Sequence, residues 1–244
     1  MSELIVTQFK VFYRNFINVF FVFVFPVFFI ILFGEIYGND PSSFFNGKGT
    51  LDVSTPAYIA MIISVTGIMS FPLTIANYRE QKILKRLKAT PMNPVNLLVS
   101  EILVNVVMTI LGVILLFFVA SMRYGVEFSG NLKQFILAFL LSIFSTFSIG
   151  GVIASISSNV KMANAIANLV YFPMLFLSGA TIPIEIMPES IQEFSKFIPL
   201  THAVNLLKKT WLGEGIAWGS SNVIVLIVIL IICTAISAFY FKWD

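Results

Sequence analysis

Charge is scarce in this chain. Asp, Glu, Lys and Arg make up 11% of its 244 residues, where an ordinary soluble domain carries about 25%. Too little charge is present to coat a water-facing surface, which excludes a soluble enzyme, a disordered regulator and a nucleic-acid-binding domain. Cysteine is nearly absent: Cys233 stands alone in an apolar run, so no disulfide framework is possible. His202 is the only histidine, which removes any multi-histidine metal site. The acids are scattered, and no Ser-His-Asp order is supported, so no catalytic residue and no metal ligand is assigned. The start, MSELIVTQFKVFYRNF, has no small-residue cleavage site, and the apolar run behind it is too long for a signal-peptide core. The chain is expected to stay whole in the membrane.

What is abundant is apolar surface: 58% of residues are hydrophobic, 26 are Phe, and the mean hydropathy is +0.93. A spanning helix takes about 20 such residues. Six runs qualify, at Phe16–Phe33, Pro56–Asn77, Val95–Ala120, Leu132–Ser157, Met162–Ala180 and Ser220–Phe241. They predict an all-α membrane protein with six transmembrane helices, forming one domain over 1–244 without internal repeats.

The connections differ in charge. Arg79, Lys82, Lys85, Arg86 and Lys88 crowd the link between spans 2 and 3, and Lys10, Arg14, Lys161 and Lys242 fall on the same side. The other side carries Lys48, Arg123, Lys133, Lys196, Lys208 and Lys209, diluted by longer loops and by most of the acids. The positive-inside rule places the first group, and both termini, in the cytoplasm. The net charge of +3 therefore follows from topology and needs no nucleic acid.

Several segments invite functional readings. Residues 1–15 mix Leu4, Ile5, Phe9, Val11 and Phe12 with Glu3, Gln8, Lys10 and Arg14. That pattern suits an interfacial helix with its cations at anionic headgroups, or else a plain lead-in to span 1. In the basic link, Ile83, Leu84 and Leu87 fall at helical spacing opposite cations, and Thr90–Pro91 with Pro94 end the helix. A short cytoplasmic helix able to dock on a protein competes with a loop that only sets topology.

Between spans 5 and 6, Pro183, Pro188 and Pro199 forbid one continuous helix over 182–212. Pro188 and Glu189 open one short helix; Thr201 would cap a second that runs to Trp211. Two helices too apolar for water and too short to span predict an external interfacial or re-entrant pair. In span 4, Ala138, Ser142, Thr146, Gly150, Ala154 and Ser158 recur every fourth residue, a helix-contact face within the subunit or across a dimer. Asn164 and Asn168 share a face of span 5, where they either line a path or bond across helices. Glu101, one turn into span 3, is free to snorkel or pair with the basic link. No span holds an acid or base near its middle, which argues against a proton relay. Asn46-Gly47-Lys48-Gly49-Thr50 fails as a P-loop, because Ser42 and Gly49 replace the required Gly and Ser/Thr.

The combination resembles the membrane subunits of type-2 ABC exporters, the ABC-2-type permeases. Arg79-Glu80, Leu87 and Ala89-Thr90-Pro91 are similar to that family's charged coupling segment, here 79–94. Leu177-Ser178-Gly179, Pro183, Met187-Pro188 and Ile198-Pro199-Leu200-Thr201 are similar to its signature before the last helix. One departure is Lys82-Ile83, where many members carry Gly-Thr. The resemblance implies a subunit of a bacterial cytoplasmic membrane that pairs with a second permease subunit, identical or not. Each would rest on a separate cytoplasmic ATP-binding subunit, which would hold ATP and Mg; this chain would bind no cofactor and would not be an enzyme itself. Ile83, Leu84 and Leu87 would enter a groove of the ATPase, with Arg79, Lys85 and Arg86 at its acidic rim and Glu80 opening the coupling helix. Asn164, Asn168 and Phe172 would line the path, and Pro183, Pro188, Pro199 and Thr201 would shape an external gate. The implied cargo is hydrophobic or amphipathic, such as a drug, a peptide antibiotic or a lipid-like molecule. A polysaccharide or lipid-linked glycan is the alternative within the family, and an ion-coupled carrier or channel the alternative outside it.

Overall fold

The structure, a computed structural model, describes residues 2–42, 45, 47–88 and 94–241, with side chains throughout except at 2–4, 87–88, 94–95 and 185. Among the described residues, six helices are long and apolar enough to cross a membrane: Phe16–Tyr37, Thr50–Glu80, Asn96–Tyr124, Leu132–Ile156, Val160–Leu177 and Ser221–Tyr240, here spans 1 to 6. Shorter α-helices accompany them: α1 (Ser2–Arg14), α2 (Ile83–Lys88), α3 (Glu189–Ser195) and α4 (Pro199–Trp211). Two-residue strands, Pro41–Ser42 and Lys48–Gly49, pair antiparallel ahead of span 2. The basic end of the bundle carries α1, α2 and the turn between spans 4 and 5. The opposite end carries α3 and α4.

Span 2 is the centre. Its most apolar stretch is 83% buried, against 17% for span 1 and 11% for span 6, whose outer faces are exposed in the single chain. It starts earlier than hydropathy alone indicates, because Asn39 Oδ1 accepts from the backbone N–H groups of Leu51 and Asp52 at 3.0 and 3.2 Å. Those are first-turn donors with no partner inside the helix. The stripe on span 4 resolves as an internal face: Ala138, Ser142, Thr146, Gly150 and Ala154 are buried in the single chain. Gly150 lies so close to span 2 that a Cβ there would collide with the Gly67 carbonyl oxygen. Ser158 falls beyond the helix end and is exposed.

Two irregularities escape a hydropathy reading. Spans 1 and 2 each widen into a π-helical turn, at Phe20–Val24 and Val65–Ser70, just before Pro26 and Pro72. A proline ring clashes with the carbonyl four residues back and offers no N–H to it. Here those carbonyls belong to Val22 and Ile68, both inside the widened turns, which accommodate the prolines without breaking the helices.

At the opposite end, α4 is a packed wedge. Leu200, Ala203, Val204, Leu206 and Leu207 are buried, and Trp211 meets Phe117, Phe128 and Phe135 edge-on at 5.1–5.6 Å. Thr201 does not cap it. The helix opens two residues earlier at Pro199, whose fixed φ and missing N–H suit a first helical position.

Candidate functional site: a charged corner at the basic end

Span 2 runs for 31 residues, about 46 Å at 1.5 Å per residue, whereas the hydrocarbon core is about 30 Å thick. Its overhang at the basic end presents two consecutive opposite charges, Arg79 and Glu80, to the turn joining spans 4 and 5. Arg79 is 8% exposed. Its Nη1 donates to the Ala154 carbonyl at 2.7 Å and to the Ser157 carbonyl, and its guanidinium lies 5.4 Å from the Phe241 ring centre. Both carbonyls belong to the last turn and cap of span 4, the partially negative end of that helix. Glu80 Oε2 accepts from the Val160 N–H at 2.9 Å, at the first residue of span 5 and its partially positive end. Asn159 caps the same helix by accepting from Met162 N–H at 2.9 Å. A cation on one helix end and an anion on the next form a clasp over residues 157–159.

Beyond the clasp the chain reverses at Lys82, whose φ is +57°. Glycine would hold this left-handed position without strain, and the chain adopts it with a lysine. α2 follows. Lys85 and Arg86 are exposed, Arg86 Nη2 donating to the Gln81 carbonyl at 2.9 Å, and Ile83 is half-buried. Two sequence expectations change here. Leu84 is buried within this chain, 1% exposed, so it packs on its own subunit and not in a partner's groove. Arg79 points inward, because the carbonyls at the end of span 4 hold it, and it cannot meet an acidic rim. The Leu87 side chain and Ala89-Thr90-Pro91 lie outside the described residues.

The joint behind the corner is polar, and sequence reasoning missed it. Tyr78 donates to Gln8 Oε1, bolting α1 to span 2, and Phe12 is buried beside that joint. Glu101 does not snorkel. It is 3% exposed and accepts from Asn105 Nδ2 at 2.8 Å. Asn18 donates to Ser70 at 2.9 Å, and Thr66 and Thr109 bond at 2.8 Å, tying spans 1 and 3 to span 2. The spacing of Glu101 and Asn105, one helical turn apart, was the available signal.

Asn164, Asn168 and Phe172 share one face of span 5, with Asn168 Nδ2 donating to Asn164 Oδ1 at 3.2 Å. Asn164 and Phe172 are exposed, as are Leu169 and Phe176 nearby. This face begins one turn beyond the Glu80 anchor. Far from it, at the opposite end, Pro183 leads into a 3-10 turn, Pro188 into α3 and Pro199 into α4. Thr201 is buried there. His202 bridges Asn222 Oδ1 and the Lys196 carbonyl, each at 2.9 Å, fastening α4 to span 6. Tyr58, Thr181, Pro183, Asn205 and Lys208 surround a cavity of only about 20 Å³, room for a single water. Among the described residues no group of three metal-binding side chains exists.

Among the described residues, five apolar spans around a buried central one, with polar side chains joining helix to helix, define a multi-pass helical membrane protein. Residues 1–212 match the ABC-2 type transporter family, and the chain belongs to it. The matched segment is an ABC-2 permease membrane domain. It is 29% identical over 146 residues, 59% of this chain, to the inner membrane transport permease YhhJ of Escherichia coli, covering 39% of that protein. To the probable multidrug ABC transporter permease YbhS of Escherichia coli it is 27% identical over 191 residues, 77% of this chain and 49% of the relative. Nodulation protein J of Rhizobium leguminosarum bv. viciae shares 33% over 85 residues, 35% of this chain and 33% of that protein. The chain thus spans less than half the length of these curated relatives.

Proposed function

We propose that this chain is the membrane part of an ATP-driven exporter, with the basic end and both termini in the cytoplasm. The observation that carries the reading is the clasp: Arg79 and Glu80 grip the turn between spans 4 and 5, while Lys85 and Arg86 stand exposed a turn further on. α2 is the coupling helix of a segment covering 79–94. It presents Lys85 and Arg86 to the acidic rim of a separate ATP-binding subunit, with Ile83 and Leu87 as apolar contacts. ATP and Mg belong to that subunit. Closure of the ATPases pushes α2, and the clasp passes the push to spans 4 and 5 as a rigid-body motion.

A second permease subunit covers the exposed face of span 5, where Asn164, Asn168 and Phe172 line the path. Amides left against lipid tails are unfavourable, which supports a covered face. The segment 182–212, with Pro183, Pro188, Pro199 and Thr201, forms the outer gate. Leu169, Phe172 and Phe176 beside the two amides favour a hydrophobic or amphipathic cargo, such as a drug, a peptide antibiotic or a lipid-like molecule, and relatives named as probable multidrug permeases support that class.

The test is purification of the chain from nanodiscs. A P-loop ATPase is expected to co-purify, and Lys85→Glu/Arg86→Glu to lose it while helicity stays unchanged. A wild-type chain that purifies alone and moves solute in liposomes without ATP refutes the reading.

A further inference from the structure

The basic end holds a second feature, apart from the corner: an open recess of about 380 Å³ between α1 and span 3, lined by Phe9, Lys10, Tyr13, Arg14 and Met108. Its exposed wall is apolar throughout, Lys10 and Arg14 contributing their stems and Tyr13 its ring. Phe9 and Met108 supply an apolar floor. Lys10 and Arg14, one helical turn apart, share an exposed face with Tyr13. Among the described residues neither cation makes an ion pair. The face is fixed, because the Tyr78–Gln8 bond and buried Phe12 on the other side of α1 prevent it from rolling.

Position determines what fills the recess. Arg14 lies two residues before Phe16, the first residue of span 1, so the cations sit at the edge of the hydrocarbon. Exposed apolar side chains lie nearby in the chain: Phe16 and Ile17 at the start of span 1, and Leu111 one turn from Met108 on span 3. Such surface on a spanning helix meets lipid tails, so the recess opens toward the bilayer. Two cations and a phenol at that depth meet headgroups.

We propose that this recess binds one anionic phospholipid, its phosphate between Lys10 and Arg14 and an acyl chain along Phe9 and Met108. Only the identity of the leaflet, cytoplasmic, rests on the orientation proposed above. Because α1 is bonded to Tyr78, the residue before Arg79, an occupied site braces the charged corner.

The test is native mass spectrometry of the full chain released from nanodiscs of equal phosphatidylglycerol and phosphatidylethanolamine. The wild-type chain is expected to retain one phosphatidylglycerol in preference to phosphatidylethanolamine. Lys10→Gln/Arg14→Gln lowers that retention about 25-fold, the equivalent of removing two cations from an anionic surface. Lys133→Gln/Lys209→Gln removes the same charge from exposed positions at the opposite end and retains lipid like the wild type. Equal retention by the Lys10/Arg14 variant, or no phosphatidylglycerol preference in the wild type, overturns the proposal. Displacement of the lipid by millimolar inorganic phosphate also overturns it, since the cations would then serve a free anion.

Discussion

Arg79→Met tests the clasp at its anchor. Methionine keeps most of the stem volume and removes the guanidinium, which donates to the carbonyls of Ala154 and Ser157 and lies over Phe241. Two hydrogen bonds from a charged donor, at roughly 1.5 kcal/mol each, set the expected loss at about 3 kcal/mol. That is about a hundredfold in the folded-to-unfolded ratio. Relief from burying a cation offsets part of the loss, and the carbonyls left without a donor add to it. Arg79→Lys restores one contact without the planar fork and recovers about half, roughly 1.5 kcal/mol. Reversible unfolding in mixed micelles, with helicity as the signal, reads these differences. Arg86→Met is the control: that side chain is exposed and bonds one local carbonyl, so its loss is within about 0.5 kcal/mol. An Arg79→Met chain no less stable than Arg86→Met refutes the reasoning.

Lys82→Gly relieves a left-handed backbone position and is expected to raise stability by about 0.5–1 kcal/mol in the same unfolding assay, net of the entropy glycine adds to the unfolded chain. Gly150→Leu forces spans 2 and 4 apart at the Gly67 carbonyl and is expected to destabilise by about 2–3 kcal/mol, read as a lower melting temperature. Asn168→Leu removes the donor of the Asn164–Asn168 bond on the exposed face of span 5. It is expected to change substrate-stimulated ATP hydrolysis by the assembled complex while leaving thermal stability within about 0.5 kcal/mol, and an unchanged hydrolysis profile removes these residues from the path.

Hydropathy made the six spans legible, and the crowding of Arg79, Lys82, Lys85, Arg86 and Lys88 marked the corner. Azimuth was not legible. Five neighbouring cations look alike in sequence, yet Arg79 is buried while Lys82, Lys85 and Arg86 are exposed, because the partners of Arg79 are carbonyls 75 and 78 residues away. Leu84 and Leu87 both read as a docking ridge, but a leucine's preference for an apolar surface does not say whose surface, and Leu84 meets its own chain. The π-turns before Pro26 and Pro72 were hidden since uniform apolar runs carry no periodicity to interrupt. Thr201 and Pro199 both signal a helix start, and proline prevailed because its φ is covalently fixed. The stripe of small residues was legible as a contact face, while its partner, span 2, required the fold.

The central claim is that α2 and the start of span 5 move as one body when ATP binds. Distance measurement between spin labels at Lys82→Cys, the exposed residue directly before α2, and Lys161→Cys tests it, in a Cys233→Ser background, with the chain assembled with the proposed ATPase in nanodiscs. The account predicts one unchanged distance distribution with and without ATP plus vanadate, while a Lys161→Cys/Gly219→Cys pair spanning the bundle shifts. A distance between positions 82 and 161 that changes with nucleotide, or a trans-bundle pair that stays still, contradicts it.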